Sequence, residues 1–284
     1  MTPLAVALVL VSAFLHAGWN LFGKGSQDKS AFFLAQGACT AIICSPGLIA
    51  FWSPPPTLGW VFVALSAAAH AGYALYLVKS YEAGDLSIAY PISRSAPALV
   101  LLWEMTAGHQ RLSVLGVSGV VLAVVGALMV QWPLLRARGL RGVLRADVTR
   151  FALITAVFIA AFTIVDKQGV GQMHPFVFLV LILAGEFPVF IVRMGSATAT
   201  RVRAEWNRTR WTILATAIVG PFSYLLILWA LKNAPATYVL SLRQTSIVFG
   251  VVLGRFVLGE VGTRYPLIGA VVITIGGLLI AAGG

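Results

Sequence analysis

Ionisable side chains are scarce in this sequence, so the few that interrupt its apolar stretches are conspicuous. Ser12, His16 and Asn20 recur every four residues, which on a helix puts them on one stripe with Trp19 beside it. His70 lies in a later apolar stretch, with Tyr73 three residues on. Rings placed there can stack on an aromatic or cationic solute and offer it a few oriented hydrogen bonds. Arg94 is bracketed by Pro91 and Pro97, each of which would deprive a carbonyl one turn earlier, near Ser87 and Ser93, of its helical partner. Tyr90, one turn before Arg94, would share its face. A permanently charged guanidinium beside such carbonyls can hold a carboxylate through two N–H groups. Arg243 recurs in a later stretch without the prolines, and Glu186, two residues before Pro188, has no charge partner in its own stretch. A carboxyl so placed can take up and release a proton, which makes Glu186 a coupling candidate. Each group also has a purely structural reading: a histidine bonded to a neighbouring helix, an arginine tied to an acid or to carbonyls, Glu186 neutralising an arginine.

The elements that must position these groups follow from composition. Of 284 residues, 59% are hydrophobic and 10% charged, and the mean hydropathy is +0.92. A water-soluble core cannot hide that much apolar surface, so the chain is expected to be an all-α integral membrane protein. A bilayer core of about 30 Å takes roughly 20 apolar residues per helix. Counted against that length, spans fall at 3–22, 30–51, 59–79, 87–104, 113–132, 148–166, 175–194, 211–231, 236–258 and 264–282, which makes ten helices. Only 133–147 and 195–210 read as substantial polar loops. The first stretch has no basic residue before it and is too long for a signal peptide, so it reads as a span. Cys39 and Cys44 read as small core residues, and Trp52, Trp60, Trp132, Trp206 and Trp211 as interfacial belt residues. Glu104 and Asp166, each at the end of a span, read as interfacial acids meeting Lys or Arg.

The net charge of +11 raises the question of nucleic acid, but the basic residues sit in short connections rather than along one face, so no nucleic-acid partner is expected. They concentrate in the odd-numbered connections, above all Arg136 to Arg150 and Arg193 to Arg210. The even ones hold Arg111, Lys167 and Lys232. The positive-inside rule then places the odd loops in the cytoplasm and both termini outside.

The two halves share punctuation. Phe22-Gly23-Lys24 closes span one as Val165-Asp166-Lys167 closes span six. The run from Tyr90 through Arg94 to Ser95 is echoed by Val239 through Arg243 to Gln244, and Gly119 and Gly126 recur as Gly269 and Gly276 at nearly the same offset. A five-helix unit written twice must insert its second copy upside down, because five is odd. Two inverted repeats, 1–135 and 148–284 joined by a basic linker 136–147, would enclose a central cavity, as in secondary transporters. Gly119, Ala123, Gly126, Gly269 and Gly276 would give spans five and ten smooth faces for close packing as scaffold at the seam between the halves.

Three motifs sharpen this: Ser12-Ala-Phe-Leu-His-Ala-Gly-Trp-Asn20 followed by Lys24, Ala89-Tyr-Pro-Ile-Ser-Arg94-Ser-Ala-Pro97, and Leu258-Gly-Glu260 before a glycine-rich last helix. With them the chain resembles the drug/metabolite transporter superfamily, in particular the ten-helix EamA family, and is similar to YddG-type amino-acid exporters. The resemblance implies a cavity lined by spans one, three, four, six, eight and nine, which adds Phe162, Thr163, Ser223, Tyr224, Tyr238 and Gln244 to the site candidates. It also implies a loop-anchoring role for Glu260, a peripheral second helix in each repeat, and cytoplasmic termini, against the charge count.

The expected function is a secondary transporter that exports small metabolites, foremost amino acids including aromatic ones, with broad specificity, by alternating access across a bacterial inner membrane. Its partners would be the amino-acid-like solute and the lipid bilayer, and it would work as a monomer. The alternative is a carrier of drug-like cations or nucleotide-sugar-type metabolites. An intramembrane enzyme is disfavoured, since His109 and His174 have no acid at ligand spacing and no GxxxxGK[ST] phosphate loop occurs. No cofactor or metal is expected.

Overall fold

The computed structural model describes residues 1–23, 26–83, 92–108, 111–130, 147–257 and 264–283. Lys24, Ser87, Tyr90, Pro91, His109, Gln110, Trp132, Glu260 and all but the last residue of the 136–147 linker lie outside the described residues, as does the side chain of Asn20. Secondary structure among the described residues is helical throughout: α1 Pro3–Gly23, α2 Lys29–Phe51, α3 Thr57–Ala83, α4 Ala96–Thr106, α5 Val114–Val130, α6 Asp147–Gly169, α7 Pro175–Met194, α8 Thr198–Asn233, α9 Ala236–Leu242, α10 Thr245–Val257 and α11 Arg264–Gly283. Six stretches among them are long and apolar enough to cross a membrane; α1, α4 and α5 add shorter apolar helices. Leu4, Ile49, Val114, Val192 and Leu278 turn outward, as lipid-facing residues do.

The expected helix boundaries need two corrections. The segment 195–210 is helical rather than a loop. Gly195–Ala197 forms one 3₁₀ turn, and Thr198 starts α8, which runs 36 residues with a kink at Thr209 (φ −130°, ψ 22°). Its polar first part is pinned from within by Glu205, which accepts a hydrogen bond from the Asp28 backbone N–H at 3.3 Å and from Thr209 Oγ1 at 3.1 Å. Span nine is not continuous either. It breaks at Arg243 and Gln244 between α9 and α10, although no proline is present to break it.

Packing couples distant parts of the chain in a regular way. α1 lies on α8 and α6 on α3; α2 lies on α8 and α7 on α3; α1 meets α10 and α6 meets α4. α5 and α11 cross, and the crossing is closest at glycines. A Cβ on Gly119 would come within 2.6 Å of the Gly276 carbonyl oxygen, and one on Gly269 within 2.6 Å of that of Gly126. The apolar core runs through Val9, Val100, Val177, Phe178, Leu228 and Val239. Cys39 and Cys44 are half-buried rather than core residues, and neither is in a disulfide.

Glu104 and Asp166 also depart from the interfacial reading. Glu104 is buried and accepts from the backbone N–H groups of Ala236 (2.7 Å) and Thr237 (3.1 Å), so a carboxylate caps the N-terminus of α9. Lys167, next to Asp166, donates to the carbonyls of Leu231 (3.0 Å) and Ala234 (2.7 Å) at the end of α8.

Candidate functional site

Two helix breaks meet inside the bundle. The chain turns at Arg94 and Ser95 before entering α4, and turns again at Arg243 and Gln244 between α9 and α10. Gln244 Nε2 donates to the Arg94 carbonyl at 2.6 Å, so one break supplies the partner for the other. Backbone without its helical bond survives at membrane depth where such a partner exists. Arg243 leaves the second break toward two rings: its guanidinium carbon lies 5.4 Å from the Tyr224 ring centre, and Nη2 is 3.4 Å from His16 Nδ1. His16 stacks on Trp19 (5.6 Å, 22°). The indole Nε1 of Trp19 is buried with no hydrogen-bond partner among the described residues, as is Oε1 of Gln244.

On the other side of Tyr224 lies a denser polar group. Asp166 has no exposed surface and collects three donors: Ser66 Oγ at 2.5 Å, His70 Nε2 at 3.3 Å, and the Tyr224 hydroxyl. His70 Nδ1 lies 3.5 Å from Glu186 Oε1, and its ring stacks on Phe162 (4.0 Å, 23°). Tyr73 and Tyr224 stand edge-on to Phe162. Tyr224 therefore has a cation at its face and a carboxylate at its hydroxyl.

The structure thus gathers His16, Trp19, His70, Tyr73, Phe162, Tyr224, Glu186, Arg243, Gln244 and the Arg94 carbonyl around one region. Other candidates are placed differently. Ser223 bonds Ser12 across α1 and α8 (2.7 Å to the Ser223 carbonyl, 2.9 Å back to that of Ser12). Thr163 donates to the Ile159 carbonyl in its own helix. Tyr238 points away, its hydroxyl accepting from the Ser113 N–H at 3.0 Å against Gly116 of α5. Sequence reasoning missed Asp166 and Ser66. A signal was available: Ser66 and His70 repeat the spacing of Ser12 and His16, and Asp166 follows Phe162 by four residues.

At one end of the bundle Asp28 caps α2, accepting from the Ala31 N–H at 3.1 Å, and takes a two-point hydrogen bond from Arg201 (2.6 and 2.9 Å). That hydrogen bond holds the Asp28 carboxyl below its ordinary range. Lys29, Val78, Arg193 and Arg201 line one depression there.

A family model described as "EamA-like transporter family" matches residues 3–132 and again 150–282. A solved crystal structure, 13% identical, matches 98% of this chain and 98% of its own with a TM-score of 0.77, so the fold is one already seen experimentally. No curated protein matches the sequence.

Proposed function

The chain belongs to the EamA-like transporter family, multi-pass membrane transporters of small molecules, and from that premise we propose that it exports amino acids, aromatic ones included, by alternating access. The observation that carries this reading is Tyr224, with Arg243 over its ring and Asp166 at its hydroxyl. A cation on one side of an aromatic ring and acids on the other match a zwitterion: Arg243 for the solute's carboxylate, the partly open Glu186 beside the sealed Asp166 for its ammonium, and Trp19, Tyr73 and Phe162 for its side chain. A fixed dipole of this kind suits an amino acid better than a purely apolar solute.

Alternating access would be carried by two inverted five-helix repeats, 1–135 and 148–284, with 136–147 as linker. Two observations support this. Exchanging α1, α2, α3, α4 and α5 for α6, α7, α8, the α9–α10 pair and α11 turns the main packing pairs into one another. The two arginines that the repeat would equate both sit at helix breaks. The clustering of Lys29, Arg193 and Arg201 at one end supports a cytoplasmic face there, which puts the N-terminus of α1 on the opposite side of a bacterial inner membrane. With both repeats in one chain, a monomer is the transporting unit.

Counterflow in proteoliposomes with a panel of labelled amino acids tests this. Leucine and phenylalanine are expected to accumulate, and Arg243→Gln to cut the rate roughly ten- to hundredfold, the worth of a hydrogen bond to a charged group. Failure of every amino acid to accumulate overturns the substrate class. The second reading, a carrier of organic cations, is favoured by the two carboxylates at His70. It wins if cation flux survives Arg243→Gln and collapses in Glu186→Gln.

A further inference from the structure

His70 stands between two carboxylates, with Nε2 3.3 Å from Asp166 and Nδ1 3.5 Å from Glu186. A neutral imidazole has one N–H and one bare lone pair. With both acids ionised, a neutral His70 would aim that lone pair at an anion. Keeping both contacts therefore takes one proton more, whether it sits on the ring or on an acid.

We propose that His70, Asp166 and Glu186 form the proton-binding site of the transporter, and that this extra proton fastens α3 to α6 and α7 in one state of the cycle. The inference rests on the transport reading but not on the solute's identity. Among the described residues, Asp166 and Phe162 of α6, Glu186 of α7 and Tyr224 of α8 touch the imidazole; Ser66 of α3 bonds Asp166, Tyr73 of α3 stands against Phe162, and across the Tyr224 ring lies Arg243 with His16 of α1 beyond it. Arg243, the cation named among these described groups besides imidazole, lies on the far side of the tyrosine, so a proton is suited to balance the two acids.

The members differ in access. Asp166 is sealed, whereas the Glu186 side chain keeps 20% of its surface open and that of His70 13%. A proton from water on one side reaches Glu186 first and is then shared with His70. It then leaves to water on the other side, before α3 and α7 part. Only O–H and N–H bonds form and break, and the charge carried is one proton. Once the proton has left, neutral His70 keeps its N–H on Asp166 and turns its lone pair to the Glu186 anion, a repulsion that separates the two helices.

The test uses the full chain in liposomes loaded with a pH-sensitive dye. Counterflow of labelled L-phenylalanine and L-leucine without a gradient is compared with their accumulation under an imposed pH gradient. In the wild type the gradient should raise accumulation above counterflow and move protons. In Glu186→Gln and His70→Gln that increment should be lost, even where some counterflow persists. Infrared difference spectra of the same liposomes, acid minus alkaline, need no solute. They should show carboxylic-acid and imidazolium bands that disappear in Glu186→Gln and His70→Gln respectively. If neither amino acid moves, the substrate reading fails, and the spectra still decide the proton site. Variants with the wild-type gradient response, or variants with wild-type spectra, overturn the proposal. Should a variant not fold, wild-type protein with isotope-labelled histidine decides the same question: an imidazole that titrates together with a carboxyl supports the site, and one that titrates alone overturns it.

Discussion

The interfaces of α1 with α8 and of α6 with α3 are packed alike but built from different chemistry. At the first, Ser12 and Ser223 exchange hydroxyl-to-carbonyl hydrogen bonds, and the seam is neutral. At the second, Ser66 bonds the carboxylate of Asp166, which also takes His70 and the Tyr224 hydroxyl of α8. Geometry is repeated while charge is not. A neutral hydroxyl pair has no state to switch, whereas an acid, an imidazole and a phenol within hydrogen-bond reach have several. The ionisable interface is thus the one suited to answer to solute or proton, and the neutral one is suited to pivot without changing.

The largest expected effect comes from breaking this difference at its centre. Asp166→Leu leaves the donors of Ser66, His70 and Tyr224 without their shared acceptor. Removing one member of a buried charged group costs about 3–5 kcal/mol. Thermal melts of the purified protein should drop sharply, and counterflow should disappear. The milder Asp166→Asn keeps an acceptor oxygen and should restore most of the melt but not the flux. Full flux in Asp166→Asn would mean that the charge is not needed.

The next effect asks whether the packing is reciprocal. At the crossing of α5 and α11, Gly119 and Gly276 face each other's carbonyls. Any side chain must push the helices apart, so Gly119→Leu and Gly276→Leu should each destabilise by about 1–3 kcal/mol. Equal losses would sharpen the reciprocity, and unequal ones would break it. Gly18→Ala, where nothing lies within 4 Å of a Cβ, serves as the silent control.

Much of this was legible in the sequence, for reasons that differ between residues. The apolar stretches report the solvent directly, and the glycines of α5 and α11 report close approach because only a missing Cβ allows it. Arg243 and His70 could be read as polar groups at membrane depth, whereas Tyr224 became a candidate through the family resemblance. Asp166 could not be so read, because its place at the end of span six suggested a water interface, while in the fold Lys167 turns to carbonyls at the end of α8 and Asp166 turns inward to Ser66. The break at Arg243 was invisible for a related reason. No proline marks it locally, and what meets it is a side-chain contact from Gln244 to a carbonyl far away in the chain. Tyr238 shows the converse: the resemblance implied a site residue, and Ser113 and Gly116 claim it for packing.

A smaller effect is expected at the neutral seam. Ser12→Ala or Ser223→Ala removes one hydroxyl, and the net loss should be about 1 kcal/mol. Counterflow should stay near the wild-type rate, in contrast with Asp166→Asn. A Ser12→Ala variant as inactive as Asp166→Asn would erase the distinction between the two interfaces.

The smallest effect lies outside the membrane, at Asp28 and Arg201, and its pH dependence has a definite sign. The hydrogen bond from Arg201 holds the Asp28 carboxyl below its ordinary value, so the folded state binds this proton more weakly than the unfolded chain does. The stabilisation is complete above the ordinary carboxylate range and is lost as pH falls through the lowered value. Arg201 is 38% exposed and solvent screens the pair, so the contribution is at most about 1 kcal/mol. Asp28→Asn should therefore melt slightly below the wild type at neutral pH, and the two melting curves should converge in acid. Added salt should narrow the neutral-pH gap as well, because screening weakens an exposed ion pair, whereas it should leave the loss in Asp166→Leu unchanged.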